Sequence, residues 1–272
     1  MEAGGKHKGG FTLIELALVL VVLSLLVAGV ASVVTQNIRR AKAAELQSKL
    51  DAIETALLDF RQRNGRLPCP ADGTLAVNTQ YFGVETIPAG DCTNGSSYTS
   101  GNSPSNTQSA DFYDGINTTA GIVPVKTLGL PDAAAFDPWG GAFFYAVDKR
   151  ITGINAFAAY LVTDTGIGSI TVNDGAGNAR VTQAIALVMS FGEDGHGAYQ
   201  FGGGRKSSGS TNLNEQTNCH CNSSATAQTF NATFVQQTAA TTNNADPLNI
   251  FDDVLRYYVR SSFLSATDIS PR

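Results

Sequence analysis

The chain has 272 residues, a formal net charge of −5 and only 15% charged residues. That balance argues against a nucleic-acid partner, which would need clustered Lys and Arg; the nearest cluster is Arg205-Lys206. Few charges together with abundant Gly, Ser, Thr and Asn fit a loop-rich extracytoplasmic β domain better than a cytosolic enzyme.

At the N-terminus a short leader with Lys6 and Lys8 meets an apolar segment. No charged residue occurs from 16 to 38. At about 1.5 Å per residue, a helix of that length crosses a hydrocarbon core of roughly 30 Å. Glu15 sits at its edge, where a carboxylate costs about 2.5–3.5 kcal/mol on insertion scales, so its presence asks for a purpose. A secretory signal peptide cut after Gly29-Val30-Ala31 explains neither the length of the run nor Glu15. A plain single-pass anchor explains the length but not the acid. Charge does not fix orientation, because Lys6 and Lys8 precede the span and Arg39, Arg40 and Lys42 follow it.

The helical pattern continues past the span. Leu46, Leu50, Ile53, Leu57 and Phe60 recur at helical steps of four and three, with Glu45, Gln47, Lys49, Asp51, Glu54 and Asp59 between them. Asn64-Gly65 supplies a stop, with Pro68 beyond it. One helix from 11 to 63 would be about 80 Å long. Its apolar stripe must be covered by residues 67–272, which suffice for one domain with its own core.

Strands are expected at 142–147, 158–163, 167–172, 179–186 with continuation through 191, and 254–259. Asn173 to Asn178 has hairpin turn chemistry. Together these segments predict an antiparallel sheet laid on the exposed half of the helix, an α+β arrangement. Two polar tracts, 91–121 and 202–246, are expected as exposed loops that bury little apolar surface, with a short helix or strand at 230–237.

Four cysteines, Cys69, Cys92, Cys219 and Cys221, all lie after the helix. An even count there is compatible with disulfides in an oxidising compartment, and three pairings are possible. The preferred one is Cys69 with Cys92, which would tie the first polar tract to the helix exit. Cys219 with Cys221 would then close a tight ring. A metal site at Cys219-His220-Cys221 lacks the spacing of common zinc sites. Catalysis finds no support: there is no Gly-x-Ser-x-Gly elbow, and Gly202-Gly203-Gly204-Arg205-Lys206-Ser207 places Arg205 where a phosphate loop needs glycine. No cofactor is expected.

Gly10-Phe11-Thr12-Leu13-Ile14-Glu15-Leu16, behind a basic leader and ahead of the apolar run, resembles the processing site of type IV prepilins and pseudopilins. The resemblance implies that prepilin peptidase cuts between Gly10 and Phe11 and N-methylates Phe11. It implies that Glu15 pairs with the Phe11 amine of a neighbouring subunit during filament assembly. The expected organisation is a cleaved leader at 1–10, a transmembrane and filament-core helix at 11–37, its amphipathic continuation at 38–65 and a β-rich periplasmic domain at 66–272. The protein would sit in the inner membrane with a single pass and enter the filament on assembly. Expected partners are prepilin peptidase, other pilin or pseudopilin subunits and an inner-membrane assembly platform.

Weaker resemblances to pseudopilins follow in order: Asp137-Pro138-Trp139-Gly140 before Phe144-Tyr145, then Ser190 to Gly195, then Phe251-Asp252-Asp253-Val254. Trp139, the only tryptophan, is expected to anchor its turn to the core. Major pseudopilins bind calcium in a C-terminal acidic loop, and the nearest equivalents here are Asp252, Asp253 and Asp194. The bulky loops point to a minor subunit, and the alternative is a membrane-anchored binding protein whose loops contact a substrate or partner.

Overall fold

The computed structural model describes residues 12–85, 92, 112–114, 116–161, 164–238, 240–241, 246 and 248–264, with the side chains of 25–33, 112–113, 161 and 240–241 excepted. Two compact units result, Met1–Glu45 and Leu46–Arg272. Helix α1, Leu13–Asn64, is the first element. Among the described residues no helix is long and apolar enough to cross a membrane. The expected span at 11–37 includes residue 11, which lies outside that description, and residues 25–33, whose side chains do.

In the second unit the expected apolar stripe is buried. Leu46, Leu50, Ile53, Leu57 and Phe60 all join the core, and Leu50, Ile53 and Leu57 are fully enclosed. The helix stops at Gly65, which takes a positive φ of 63° and returns its N–H to the Arg61 carbonyl at 2.8 Å.

The sheet that covers the stripe is built from β1 (Phe112–Tyr113), β2 (Thr118–Ile122), β3 (Phe144–Asp148), β4 (Ile170–Asn173), β5 (Ala179–Ser190), β6 (Thr233–Val235) and β9 (Val254–Val259). A separate two-stranded ribbon joins β7 (Ala240–Thr241) to β8 (Ile250–Phe251). Two short helices, α2 (Leu213–Cys219) and α3 (Arg260–Phe263), complete the order. The long strand β5 organises the sheet: along 186–189 it lies between β3 and β9, both antiparallel to it. Nearer its start it pairs with β4 through the expected hairpin, where the Asp174 carboxylate accepts the N–H groups of Ala176 and Asn178, each at 2.9 Å.

The α+β arrangement is as expected, with three differences. The sheet is mixed rather than wholly antiparallel, because β6 runs parallel to β4. The segment expected as a strand at 158–163 is a π-helical turn at Phe157–Leu161, and residues 162–163 lie outside the described residues. There Phe157 alone turns inward, edge-on to Phe263 and beneath the Arg61 guanidinium, while Ala158, Ala159 and Tyr160 face solvent. Such a pattern has no period of two.

The polar tracts are also more ordered than expected. β2 lies at the end of the first tract and is buried along its length. Thr118 spends its hydroxyl on Ser169 at 2.7 Å, and Gly121 lets the Ala71 carbonyl approach where a Cβ would stand 2.4 Å from it. Residues 91, 93–111 and 115 of that tract lie outside the described residues. The second tract buries Phe230, Phe234, Cys219 and Cys221 and carries α2, so it is part of the core. Its polar residues are buried in matched pairs, as where the Asn218 side chain accepts the Val235 N–H at 2.6 Å and donates to the Val235 carbonyl at 3.0 Å.

Arg256 of β9 fastens the sheet to the helix, reaching Asp51 at 2.6 Å, Glu54 at 3.1 Å and Gln47 at 2.8 Å. Because Asp51 is exposed and Glu54 only half-buried, most of the attachment energy belongs to the apolar stripe. Leu50→Ala is expected to destabilise the domain by roughly 2–5 kcal/mol in denaturant unfolding, against about 1 kcal/mol or less for Asp51→Ala.

Candidate functional site

The first candidate site is the start of α1. Thr12 precedes the helix and Glu15 closes its first turn. The Thr12 N–H and hydroxyl both donate to Glu15 Oε2, at 2.9 and 3.0 Å, while the Glu15 N–H donates to the Thr12 hydroxyl at 3.3 Å. This is a reciprocal capping box, which satisfies N–H groups that a helix start leaves without intrahelical partners. The Thr-x-x-Glu spacing is readable in the sequence. Beyond the cap, large apolar side chains stand exposed, from Leu13 at 88% and Ile14 at 76% to Leu23 at 50%. A continuous apolar surface of this kind marks a site of contact with lipid or protein. Gly10 and Phe11 lie outside the described residues.

The second site lies at one end of the sheet. Asp137 is buried in the turn before β3, where its Oδ1 accepts the N–H groups of Trp139 and Gly141, each at 2.9 Å. Its Oδ2 accepts from the Ser190 hydroxyl at 2.6 Å, at the end of β5. Burial raises the Asp137 pKa against the pull of these bonds. Trp139 packs against the core only in part, so the buried carboxylate is the stronger anchor of that turn.

Just past β5, Asp252 Oδ2 accepts the N–H groups of Glu193 and Asp194 at 2.7 and 3.1 Å. Gly192 makes this approach possible: it has a φ of 64°, and a Cβ there would lie 2.2 Å from the Asp252 carboxylate. Asp194 in turn accepts from the Ser208 hydroxyl at 2.9 Å. Glu215, in the first turn of α2, takes the Ser210 hydroxyl and the Asp252 N–H.

Oxygen atoms of Asp194, Glu215 and Asp252 all lie within 4.8 Å of one another, a spacing suited to a cation. Glu215 was not among the acids singled out from sequence. Its only local signal is its place three residues after the helix cap Asn212, and its neighbours are distant in the chain. Asp253 is buried beside the group, with its carboxylate turned to the Asn218 amide at 2.8 Å. Burial, then the Asp194 and Asp252 charges, push Glu215 up to about 8. Burial, then Asp194, push Asp252 up to about 6, and burial with Glu215 raises Asp253 well above the usual range.

Two disulfides join Cys69 to Cys92 and Cys219 to Cys221. The ion pair of Arg66 with Glu85, at 2.8 Å, is almost fully buried beside the first, with the Cys69 N–H also donating to Glu85. Near the second, the histidine close to both sulfurs is His196 from the Asp194 turn. His220 instead lies edge-on to Phe230 and Phe234, where burial and the Arg205 charge lower its pKa to about 3.

Among known families, the prokaryotic N-terminal methylation motif matches residues 5–31, which is the type IV pilin and pseudopilin signature. Neither the curated proteins nor the solved structures contain a match to the chain.

The raised carboxylates make stability fall as pH rises. For Glu215 the folded chain holds a proton between about 4.5 and about 8 that the unfolded chain has released. In the presence of a chelator the melting temperature should therefore be lower at pH 8 than at pH 5. Glu215→Gln should shrink that difference, as calorimetry of both proteins would show.

Proposed function

From a chain that carries the type IV pilin and pseudopilin signature, we propose a structural subunit of a helical filament, a minor subunit of a type II secretion pseudopilus before a type IV pilus. The signature implies processing by prepilin peptidase and assembly with other pilin subunits. In this reading the cut falls between Gly10 and Phe11, Phe11 is N-methylated, and 11–37 holds the subunit in the inner membrane with the rest in the periplasm. An assembly platform in that membrane then moves the subunit into the filament, whose packed helices offer the exposed apolar residues an equally apolar surrounding. The signature also points to a structural, non-enzymatic protein.

The observation that carries this reading is the methylation motif at 5–31, which takes in the start of a helix whose first turn contains Glu15. Supporting it, the segments 137–140, 190–195 and 251–254, each resembling pseudopilins, meet at one end of the sheet. Minor status draws on size, since removing ten leader residues leaves 262, long for a subunit repeated many times. In the same reading the Asp194, Glu215 and Asp252 carboxylates seat calcium, whose preference is for oxygen donors, with waters or carbonyls completing six to eight ligands.

N-terminal sequencing and intact mass of the processed protein test the central reading. The expected first residue is N-methyl-Phe11, and a protein starting at Ser32 would replace it with an ordinary secreted one. Glu15→Ala removes both the cap and the charge, whereas Glu15→Gln keeps an acceptor for Thr12 and removes the charge alone. Both variants should insert in the membrane and fail to assemble; normal assembly of the Gln variant would leave Glu15 with only its capping task. For the cation, millimolar calcium should raise the melting temperature at pH 8, and Glu215→Gln should lose most of that rise.

A further inference from the structure

Three cations follow directly on the uncharged run. Arg39, Arg40 and Lys42 come just after Ile38, and the first acid beyond them is Glu45. All of them lie on α1 within the first compact unit, and Arg39 and Arg40 are exposed. Thr35, Gln36 and Asn37, one turn earlier, are exposed as well. In the proposed membrane setting these cations stand on the periplasmic side, which the positive-inside rule disfavours. Like Glu15, they ask for a purpose.

Their depth supplies one. From Leu16 to Val34 the helix rises about 27 Å, close to the roughly 30 Å of a hydrocarbon core. Arg39 follows about 8 Å further on and Lys42 about 12 Å, whereas the headgroup layer on each side is about 5–8 Å thick. The cations therefore start at the outer part of that layer, and long side chains reach back from there to its phosphates. Around the helix axis, Arg39 and Lys42 are about 60° apart and Arg40 lies about 100° to the other side, so the three share one broad face. The exposed apolar surface runs up to Ile38, directly below that face.

We propose that Arg39, Arg40 and Lys42 form a binding face for the headgroups of anionic phospholipids in the outer leaflet of the inner membrane. The proposal rests on the membrane-inserted subunit described under the proposed function. A guanidinium fork matches two phosphate oxygens, and a net negative headgroup adds the attraction of all three cations. A zwitterionic headgroup brings its own ammonium, which cancels much of that attraction. Such contacts fix the depth of the helix and hold the subunit in the bilayer until assembly exchanges the lipids for neighbouring subunits.

The full-length chain would be reconstituted in phosphatidylcholine vesicles, with Lys6→Gln and Lys8→Gln throughout to remove the charges of the leader. A trace of spin-labelled phosphatidylglycerol or spin-labelled phosphatidylcholine then reports, by electron paramagnetic resonance, how much of each lipid the protein immobilises. Phosphatidylglycerol should be preferred roughly fivefold or more, the pull of at least one cation per headgroup. Salt at about 1 M should remove most of the preference, because the Debye length falls to about 3 Å. Arg39→Gln, Arg40→Gln and Lys42→Gln together should abolish it, while millimolar inorganic phosphate should leave it in place. Equal immobilisation of the two labels by protein that floats with the vesicles would overturn the proposal and leave the membrane reading standing. A preference that survives the triple substitution would place the contact elsewhere, and competition by phosphate would assign the face to a free anion; either result overturns the proposal. Protein that fails to float with the vesicles would overturn the membrane reading and the proposal with it.

Discussion

Two carboxylates hold one end of the sheet, and the arrangement of the domain follows from them. Asp137 binds the turn before β3 to the end of β5, and Asp252, just before β9, binds the turn after β5. Phe144, Met189 and Leu255 are neighbours across these strands, so the start of β3, the end of β5 and the start of β9 coincide. Tight turns leave backbone N–H groups without ladder partners, and a buried orphan donor costs about 1–3 kcal/mol. A carboxylate that accepts two of them at once satisfies a turn with a single side chain. Three short segments that look unrelated along the chain are thus the corner pieces of one sheet end.

The same solution creates a conflict. Asp194 is brought beside Asp252 by the turn that Asp252 organises, and α2 adds Glu215. Carboxylates taken out of water and placed close together cannot all stay ionised without a compensating charge. The pKa values of Glu215 and Asp252, about 8 and about 6, express that strain as held protons. A divalent cation would supply the missing charge directly. The fixed position of α2 keeps the conflict in place, because Asn218 hydrogen-bonds both Val235 and Asp253, and the Cys219–Cys221 bond closes the helix end.

What the sequence disclosed was set by range. The Leu46–Phe60 stripe, the Asp174 turn and the strand at 254–259 depend on nearby residues, and periodicity or turn chemistry is enough to place them. β2 was hidden because Thr118, Thr119 and Gly121 read as polar loop. Their burial depends on Ser169 and Ala71, which are far from them in the chain and which only the fold brings into contact. The parallel pairing of β4 with β6 has no local signal, since the crossover includes β5 and α2. Glu215 belongs to its cluster through partners that are equally remote in sequence. The capping box is a different case: Thr12 and Glu15 are three residues apart, so its signal is wholly local.

Glu15 therefore has two physical demands on it, and the geometry allows both. Both hydrogen bonds from Thr12 end on Oε2. Among the described residues no hydrogen bond ends on Oε1, which can take a second donor, such as the amine of a neighbouring subunit in the proposed filament. A cap of this kind contributes on the order of 1 kcal/mol, too little to cover the cost of about 2.5–3.5 kcal/mol for a carboxylate in lipid. The capped helix would remain under strain in the membrane and be relieved when a cation reached Oε1. Capping would then aim the carboxylate before the partner arrives, so that assembly gains the ion pair without first ordering the side chain that makes it.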